Sequence, residues 1–448
     1  MRKQPTAQLK DVGFTLMEVA VAGAVLAIFF ASIAVITQMV LGLIGESRIR
    51  AVSANLAQAR MERVRNLAYA SVGTMGGIPA GPIAQQEIVN INGQNFEVRT
   101  SVVYIDDPFD GVAPGDSLST DYKRVKVAVS WDGPFASKNP LVVVTDVAPR
   151  GTEAEEVGGV LQIKVINALG DPVEGASVFI VNDAVIPAIN IETTTNVQGG
   201  VVLPGSPICN VCYQIRVEKS GYSSDKTYSS GEVANPSKPY STILDGEVSQ
   251  VTLAVDRVGS IQVRTTGSRA ANYPAFSGVA FILRGNKIIG TNTLDENVYK
   301  YEKNLTSGPG GLLNVANLEW DTYSVSIPVA SSVDLAGSIP INPFSLLPGG
   351  SVNLWVVTSA ASANSMLVVV KDASGNPLAD TSVKLLTPSG GVLNGVAGAV
   401  GKGDTGQVLF SNLAVGEYGV TATKSGYLQA SSSAIVNGDI TEVTVLEQ

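Results

Sequence analysis

Hydrophobic and polar positions change rhythm along the chain, and each rhythm predicts a different element. From Val19 to Ile36 the sequence reads VAVAGAVLAIFFASIAVI, with Ser32 as the only polar side chain, and the run extends in weaker form to Ile44. At about 1.5 Å per residue, such a helix is long enough to cross a hydrocarbon core of roughly 30 Å. A cleavable secretory signal would have a shorter apolar stretch, ending in small residues before an A-x-A site. Here the helical pattern continues. Over residues 46–69, Ile49, Val52, Leu56, Ala59, Val64 and Leu67 fall on one stripe at spacings near three and four. Arg48, Arg60, Arg63 and Arg65 mostly lie elsewhere, and Gly73 with Gly76-Gly77 reads as the stop. The pattern predicts one helix from about residue 14 to 70, apolar all round in its first half and amphipathic in its second.

Beyond the Gly/Pro loop at 73–83 the period shortens to two. Strand-like runs occupy Glu87–Val89, Gln94–Val103, Tyr122–Trp131 and Pro140–Val147, with Val125, Val127 and Val129 alternating with Lys126, Ala128 and Ser130. Asp-Pro, Pro-Gly and Asp-Gly turns separate them. The reading is a helix (14–70) on a small antiparallel sheet (85–150), then a polar linker, GTEAEEVG, at 151–158.

The remainder repeats. VLQIKVINALGDPVEGASVFI (160–180) parallels MLVVVKDASGNPLADTSVKLL (366–386): strand, Gly-(Asp/Asn)-Pro turn, strand. Downstream, YQIRVEKSGY (213–222) parallels the end of GQVLFSNLAVGEYGVTATKSGY (406–427), and final strands follow at 250–255 and 441–446. A divergent copy lies between them: SIQVRTTGS (260–268), SGVAFILRG (277–285) and GGLLNVANLEWDTYSVSI (310–327). A spacing of roughly 90–105 residues is too long for a solenoid and suits tandem sandwiches of seven or eight strands. The expected modules are 159–256, 257–360 and 361–448, so the fold class is an α+β domain followed by all-β tandem sandwiches.

Composition narrows the chemistry. The 448 residues carry 15% charged side chains and a net charge of −9, which offers no cationic field for nucleic acid. There is no histidine, which excludes Ser-His-Asp and Cys-His catalysis, a histidine general base and every histidine-containing metal site. No P-loop, GxSxG or HExxH occurs, and no cofactor or metal site is expected. Two cysteines, Cys209 and Cys212, are too few for a disulfide framework.

Before the apolar run stands Gly13-Phe14-Thr15-Leu16-Met17-Glu18, behind a short leader containing Arg2, Lys3 and Lys10. A carboxylate at the edge of a membrane span costs several kcal/mol unless something partners it. The segment resembles the type IV prepilin processing motif, G-F-T-L-x-E, at every position. The resemblance implies that a membrane-embedded prepilin peptidase cuts after Gly13 on the cytoplasmic face and that Phe14 becomes the N-methylated first residue. It implies too that Glu18 pairs with the N-terminal amine of a neighbouring pilin subunit, each charge neutralising the other in a low-dielectric helix core. Because Arg48 and Arg50 flank the far end, Lys/Arg counting does not orient the span. The N-in orientation in the cytoplasmic membrane is what the resemblance implies. Helix on small sheet is the pilin and pseudopilin plan.

The three repeats resemble carboxypeptidase-regulatory-like (transthyretin-like) modules, units one and three well and unit two loosely. Such modules serve as stalks or accessory domains and point to no particular ligand. Cys209-Asn210-Val211-Cys212 enters a strand rather than a helix. A local disulfide is the main reading, with free thiols and metal or redox chemistry as alternatives. Lys164 and Lys371 stand where the related SpaA/Cna-B domains carry an isopeptide lysine, but the closing strands offer no asparagine, so surface lysines are expected. Trp131, Trp320 and Trp355 read as core rather than as a sugar platform. Asp171, Asp372 and Asp404 read as turn residues, not a calcium loop.

The function expected from all this is structural and not enzymatic. It is a type IV pilin-like subunit, minor or at the tip, displaying modules for adhesion to an unidentified surface or polymer outside the cell. A pseudopilin of a type II secretion or DNA-uptake machine, and an uncleaved membrane-anchored surface protein, are the alternatives.

Overall fold

The computed structural model describes residues 16–105, 121–133, 139–149 and 158–448. Two compact units emerge, residues 1–156 and 157–448. The first holds helix α1 (Leu16–Arg65) and strands β1 (Gln86–Ile91), β2 (Gln94–Ile105), β3 (Tyr122–Trp131) and β4 (Leu141–Val147). The strands pair in sequence order, all antiparallel. The β1–β2 turn is Asn92-Gly93, with φ of 54° and 82°, the doubly left-handed geometry that matches the twist of a tight hairpin.

The inner face of the sheet is fixed by alternation along β2 and β3. Val125, Val127 and Val129 are wholly buried. With Phe96, Val98, Val102 and Trp131 they enclose Ala57, Met61 and Val64 of α1. Phe96 and Trp131 oppose each other across the ladder, their ring centroids 6.4 Å apart, a spacing at which aromatic pairs attract beyond simple burial.

Two features of α1 depart from the sequence reading. The contact line includes small residues the stripe missed: Ser53 and Ala57 are fully buried beside Met61 and Val64, whereas Ala59, assigned to the apolar stripe, is exposed. Close approach of helix to sheet selects small side chains, which hydrophobic spacing alone does not weight. The helix also ends at Arg65, short of residue 70. There the Leu67 amide donates to Val64 O at 3.0 Å, tightening the turn and bringing Leu67 onto the core. A single 3₁₀ turn, Tyr69–Ser71, follows, and the expected stop glycines lie in the loop beyond it.

The second unit is a set of β-sandwiches sharing one plan. In each, an opening strand (Gly159–Ile166, Gly259–Thr266, Ser365–Asp372) pairs antiparallel with a mid-module strand (Gly200–Ser206, Leu312–Leu318, Gln407–Ser411). Its other edge pairs parallel with the closing strand (Val248–Ala254, Ser351–Ala360, Asp439–Leu446). The facing sheet is centred on a second strand (Ser177–Asn182, Ala280–Gly285, Ser382–Leu386). This strand lies between an antiparallel neighbour (Ile189–Thr194, Glu302–Thr306, Val392–Val396) and a tyrosine-bearing strand (Cys209–Glu218, Asp321–Ser326, Gly416–Thr423). The middle sandwich follows this pairing despite its divergent sequence. Its core joins Ile261 and Val263 of one sheet to Phe281, Leu283 and Val325 of the other. Met366 and Val368 meet Val383, Leu385 and Val420 in the last.

Ala57→Leu should force α1 off the sheet and destabilise the first unit by about 1–3 kcal/mol, while Ala59→Leu should be near neutral. Chemical denaturation of the full chain in detergent on a Trp320→Phe, Trp355→Phe background, followed by Trp131 fluorescence, separates the two. Equal effects would sink this packing assignment.

Candidate functional site

Two parts of the molecule carry more than a packing role, and the first is the leading half of α1. Among the described residues its large apolar side chains stand exposed: Phe29 is 58% exposed, Phe30 64% and Leu41 61%. Ser32 and Thr37 return their hydroxyls to the carbonyls of Ile28 and Ile33, each at 2.8 Å, so these polar groups are satisfied within the helix itself. The helix is long and apolar enough to cross a membrane. Glu18 falls in its first turn, with its side chain outside the described set, and Gly13 and Phe14 lie outside the described residues. Further along, the same helix is pinned to its unit. Arg60 pairs with Glu87 at 2.7 Å. The fully buried Lys123 ammonium donates to Tyr69 O at 3.0 Å, between the rings of Tyr69 and Tyr104. One rod thus has an unpartnered end and a docked end.

The second is the series of contacts that joins the sandwiches. Asp225 of the first, 5% exposed, accepts from the Ala254 amide at 2.9 Å and pairs with Lys238. Lys300 of the middle sandwich lies 3.6 Å from Asp225 and 2.7 Å from Glu319, and it donates to Ser224 O at 2.9 Å. Glu319 in turn holds Lys287, whose ammonium sits 3.3 Å above the Trp320 ring. Burial alone would raise the Asp225 carboxyl, but Lys300, Lys238 and the Ala254 amide outweigh it and hold it below its ordinary value. Burial lowers Lys287 against the opposing pull of Glu319. Burial with the nearby Asp225, Glu232 and Glu319 carboxylates pushes Tyr228 up to about 12. A short ladder also crosses this junction, pairing Asn235–Pro236 with Gly290 and Thr291.

At the next junction Asp404, expected to be an ordinary turn residue, is 2% exposed. It accepts from Arg269 Nε and from the Tyr273 hydroxyl, each at 2.8 Å. Tyr273 is held at φ 53°, a left-handed conformation costly for an aromatic residue unless its surroundings fix it. Burial, then the Asp404 carboxylate, pushes its hydroxyl up to about 12. Gln407 exchanges two hydrogen bonds with the Ser338 backbone, at 2.8 and 3.0 Å. Gly403 lies so flat on the middle sandwich that an added Cβ would come within 2.8 Å of both Val357 and Trp355. Position 404 carried no sequence signal for this, because its partners come from residues more than a hundred positions away.

The remaining predicted positions are placed as follows. Cys209 and Cys212 are bridged, with Cα atoms 6.1 Å apart, on the strand that also carries Tyr213. Lys164 is exposed and Lys371 half-buried. Trp131 belongs to the first unit's core, while Trp320 and Trp355 are half-buried at the junctions just described. Asp171 and Asp372 brace the Gly-x-Pro turns through Asn167 and Asn376. The largest fully buried side chains include Tyr213, Tyr323 and Tyr418. Each donates its hydroxyl to a carbonyl a few residues upstream: Pro207 at 2.9 Å, Glu319 at 2.8 Å and Ala414 at 3.1 Å. This is a tyrosine corner in every sandwich.

No protein-family model matches the chain, and no curated protein does. Among solved structures it is similar to the Bacillus anthracis TIE protein, at 14% identity over 82% of this chain and 74% of that one, with a TM-score of 0.19. It is similar also to GBS52, the minor pilin of the Gram-positive Streptococcus agalactiae, at 14% identity over 45% of this chain and 96% of that one, TM-score 0.23. A variant of the shaft pilin SpaA from Lactobacillus rhamnosus GG gives 13%, 46% and 99%, TM-score 0.19. At these scores no role passes from those proteins to this chain.

Tyr323→Phe should cost about 1 kcal/mol by leaving the Glu319 carbonyl unpaired, read as a lower urea midpoint for the middle sandwich. The junction adds a pH dependence. The folded Asp225 carboxyl lies below its unfolded value of about 3.9, so its contribution is present above that pH and lost as the pH falls through the folded value. Thermal unfolding should therefore move to lower temperature in acid, and Asp225→Asn should flatten that part of the profile. An unchanged acid slope in the variant would remove Asp225 as its source.

Proposed function

We propose that this chain is a type IV pilin-like structural subunit whose apolar helix assembles with those of other pilin subunits and whose sandwiches are displayed outside the cell. The observation that carries the reading is the split character of α1. The large apolar side chains of its first half are exposed among the described residues, while its second half is docked on a four-stranded antiparallel sheet. Water is a poor solvent for the first half, so a bilayer before assembly and neighbouring helices after it are its natural surroundings. The Gly13–Glu18 motif directly before the run supports prepilin peptidase as the processing partner, cleavage at Gly13–Phe14, methylation of Phe14 and an N-in orientation in the cytoplasmic membrane.

The sandwiches, at 159–256, 257–360 and 361–448, form a bulky display that suits a minor or tip subunit, and adhesion to a surface or polymer is the use this architecture favours. No step of this role calls for catalysis or a cofactor. The Cys209–Cys212 bridge fits an extracellular setting.

Intact mass and N-terminal peptide analysis of sheared filaments and of membranes tests the reading. A methylated Phe14 start recovered in filaments is expected. Processed protein confined to membranes would assign it to a pseudopilin instead, and retention of Met1 to Gly13 would make it an uncleaved surface anchor. Glu18→Gln should leave cleavage intact and deplete the subunit from filaments, because the carboxylate that neutralises the incoming amine is gone.

A further inference from the structure

We propose that the sandwich string is a tension-bearing tether in which the parallel pair of opening and closing strands forms a shear clamp in each sandwich. The inference goes beyond display and rests on strand direction, independently of how the N-terminus is processed.

The chain comes into each sandwich at the start of the opening strand and leaves from the end of the closing strand. These two strands run parallel and in continuous register: Val160 to Ile166 against Val248 to Ala254, Ser260 to Thr266 against Ser351 to Val357, and Ser365 to Asp372 against Asp439 to Leu446. At about 3.3 Å per residue, the two attachment points therefore sit roughly 20 Å apart, at opposite ends of one strand pair. A pull between them slides one strand along the other and loads every ladder bond together. Had the pair been antiparallel, both points would lie at the same end, and the bonds would break one after another.

The connectors leave no slack. In the first, Val258 donates to Gly221 O at 3.1 Å and Arg257 O accepts from Gly349 at 2.9 Å, so the segment is bonded to the sandwich on either side. In the second, the Ser362 amide donates to Asp334 at 2.9 Å, while Asn364 bonds Leu413 O at 3.1 Å and the Gly438 amide at 2.8 Å. The Asp225–Lys300–Glu319 and Arg269–Asp404–Tyr273 groups brace the same junctions. Tension passes from one clamp to the next without a flexible joint to absorb it.

Single-molecule stretching of the full chain in detergent micelles tests this, with handles on tags at its two ends. Because the native cysteines are bridged, a Ser389→Cys, Val415→Cys variant takes handles at one end of the antiparallel pair Ser382–Leu386 and Gly416–Thr423, a peeling geometry for the last sandwich. End-to-end pulling should open that sandwich at a force several-fold above peeling. Gln250→Pro, in the first closing strand opposite Gln162, should lower the force of the first sandwich alone. Val178→Ala, in the facing sheet, should lower its melting temperature and spare its force. Equal forces in the two pulling geometries would overturn the proposal, as would a force that falls with Val178→Ala as steeply as the melting temperature does. The geometry comparison needs no clamp variant, so a Gln250→Pro chain that fails to fold leaves the test decisive.

Discussion

The constraint on which the rest of this molecule depends is the solvation of α1. Burying apolar surface contributes on the order of 25 cal/mol per Å², and among the described residues the large apolar side chains from Leu16 to Ile44 stay exposed. Over Ile49 to Val64 the same helix is committed to the sheet. The docked half sets the direction of the rod, Lys123 and the Tyr69 turn fasten its end, and the exposed half is left for a lipid or protein environment. Ser32 and Thr37 fit this role, since each hydroxyl is satisfied by the backbone a turn away and demands nothing of that environment.

The sandwiches answer a different constraint: a long string of modules with sparse charge must hold its joints in water. Surface ion pairs contribute little, and the joints here do not rely on them. Asp225 and Asp404 are removed from solvent: Asp225 is held by donors from two sandwiches, and Asp404 of the last sandwich by Arg269 and Tyr273 of the middle one. A buried carboxylate missing one of those donors is costly, so the groups favour a single relative placement of neighbouring sandwiches over many. The Gly403 contact with Trp355 and Val357 adds close packing to the same joint. Within each sandwich, the tyrosine corner ties an edge of the fold to its core by one hydroxyl.

Periodicity is a local property, and it made much of the architecture legible. The apolar run, the alternation of Val125, Val127 and Val129, and the Gly-x-Pro turns each announce an element through residues within a few positions of one another. The tyrosines that became corners stand in the quoted repeat pieces as Tyr213, Tyr323 and Tyr418. Where the sequence reading failed, a distant partner had the deciding say. Ala59 matched the stripe by spacing, yet Ser53 and Ala57 face the sheet, because the distance of closest approach selects small residues there.

By itself, then, the sequence determined the α+β start, the sandwich class and the long apolar helix, since each follows from side-chain chemistry repeated at a fixed short period. Tertiary structure alone decided that opening and closing strands lie parallel, that the turn residue Asp404 is buried against Arg269 and Tyr273, and that the sandwiches share one continuous, braced path. Those outcomes depend on contacts between residues roughly 75 to 135 positions apart. No local pattern encodes them, because their energy is realised only when the separate pieces meet.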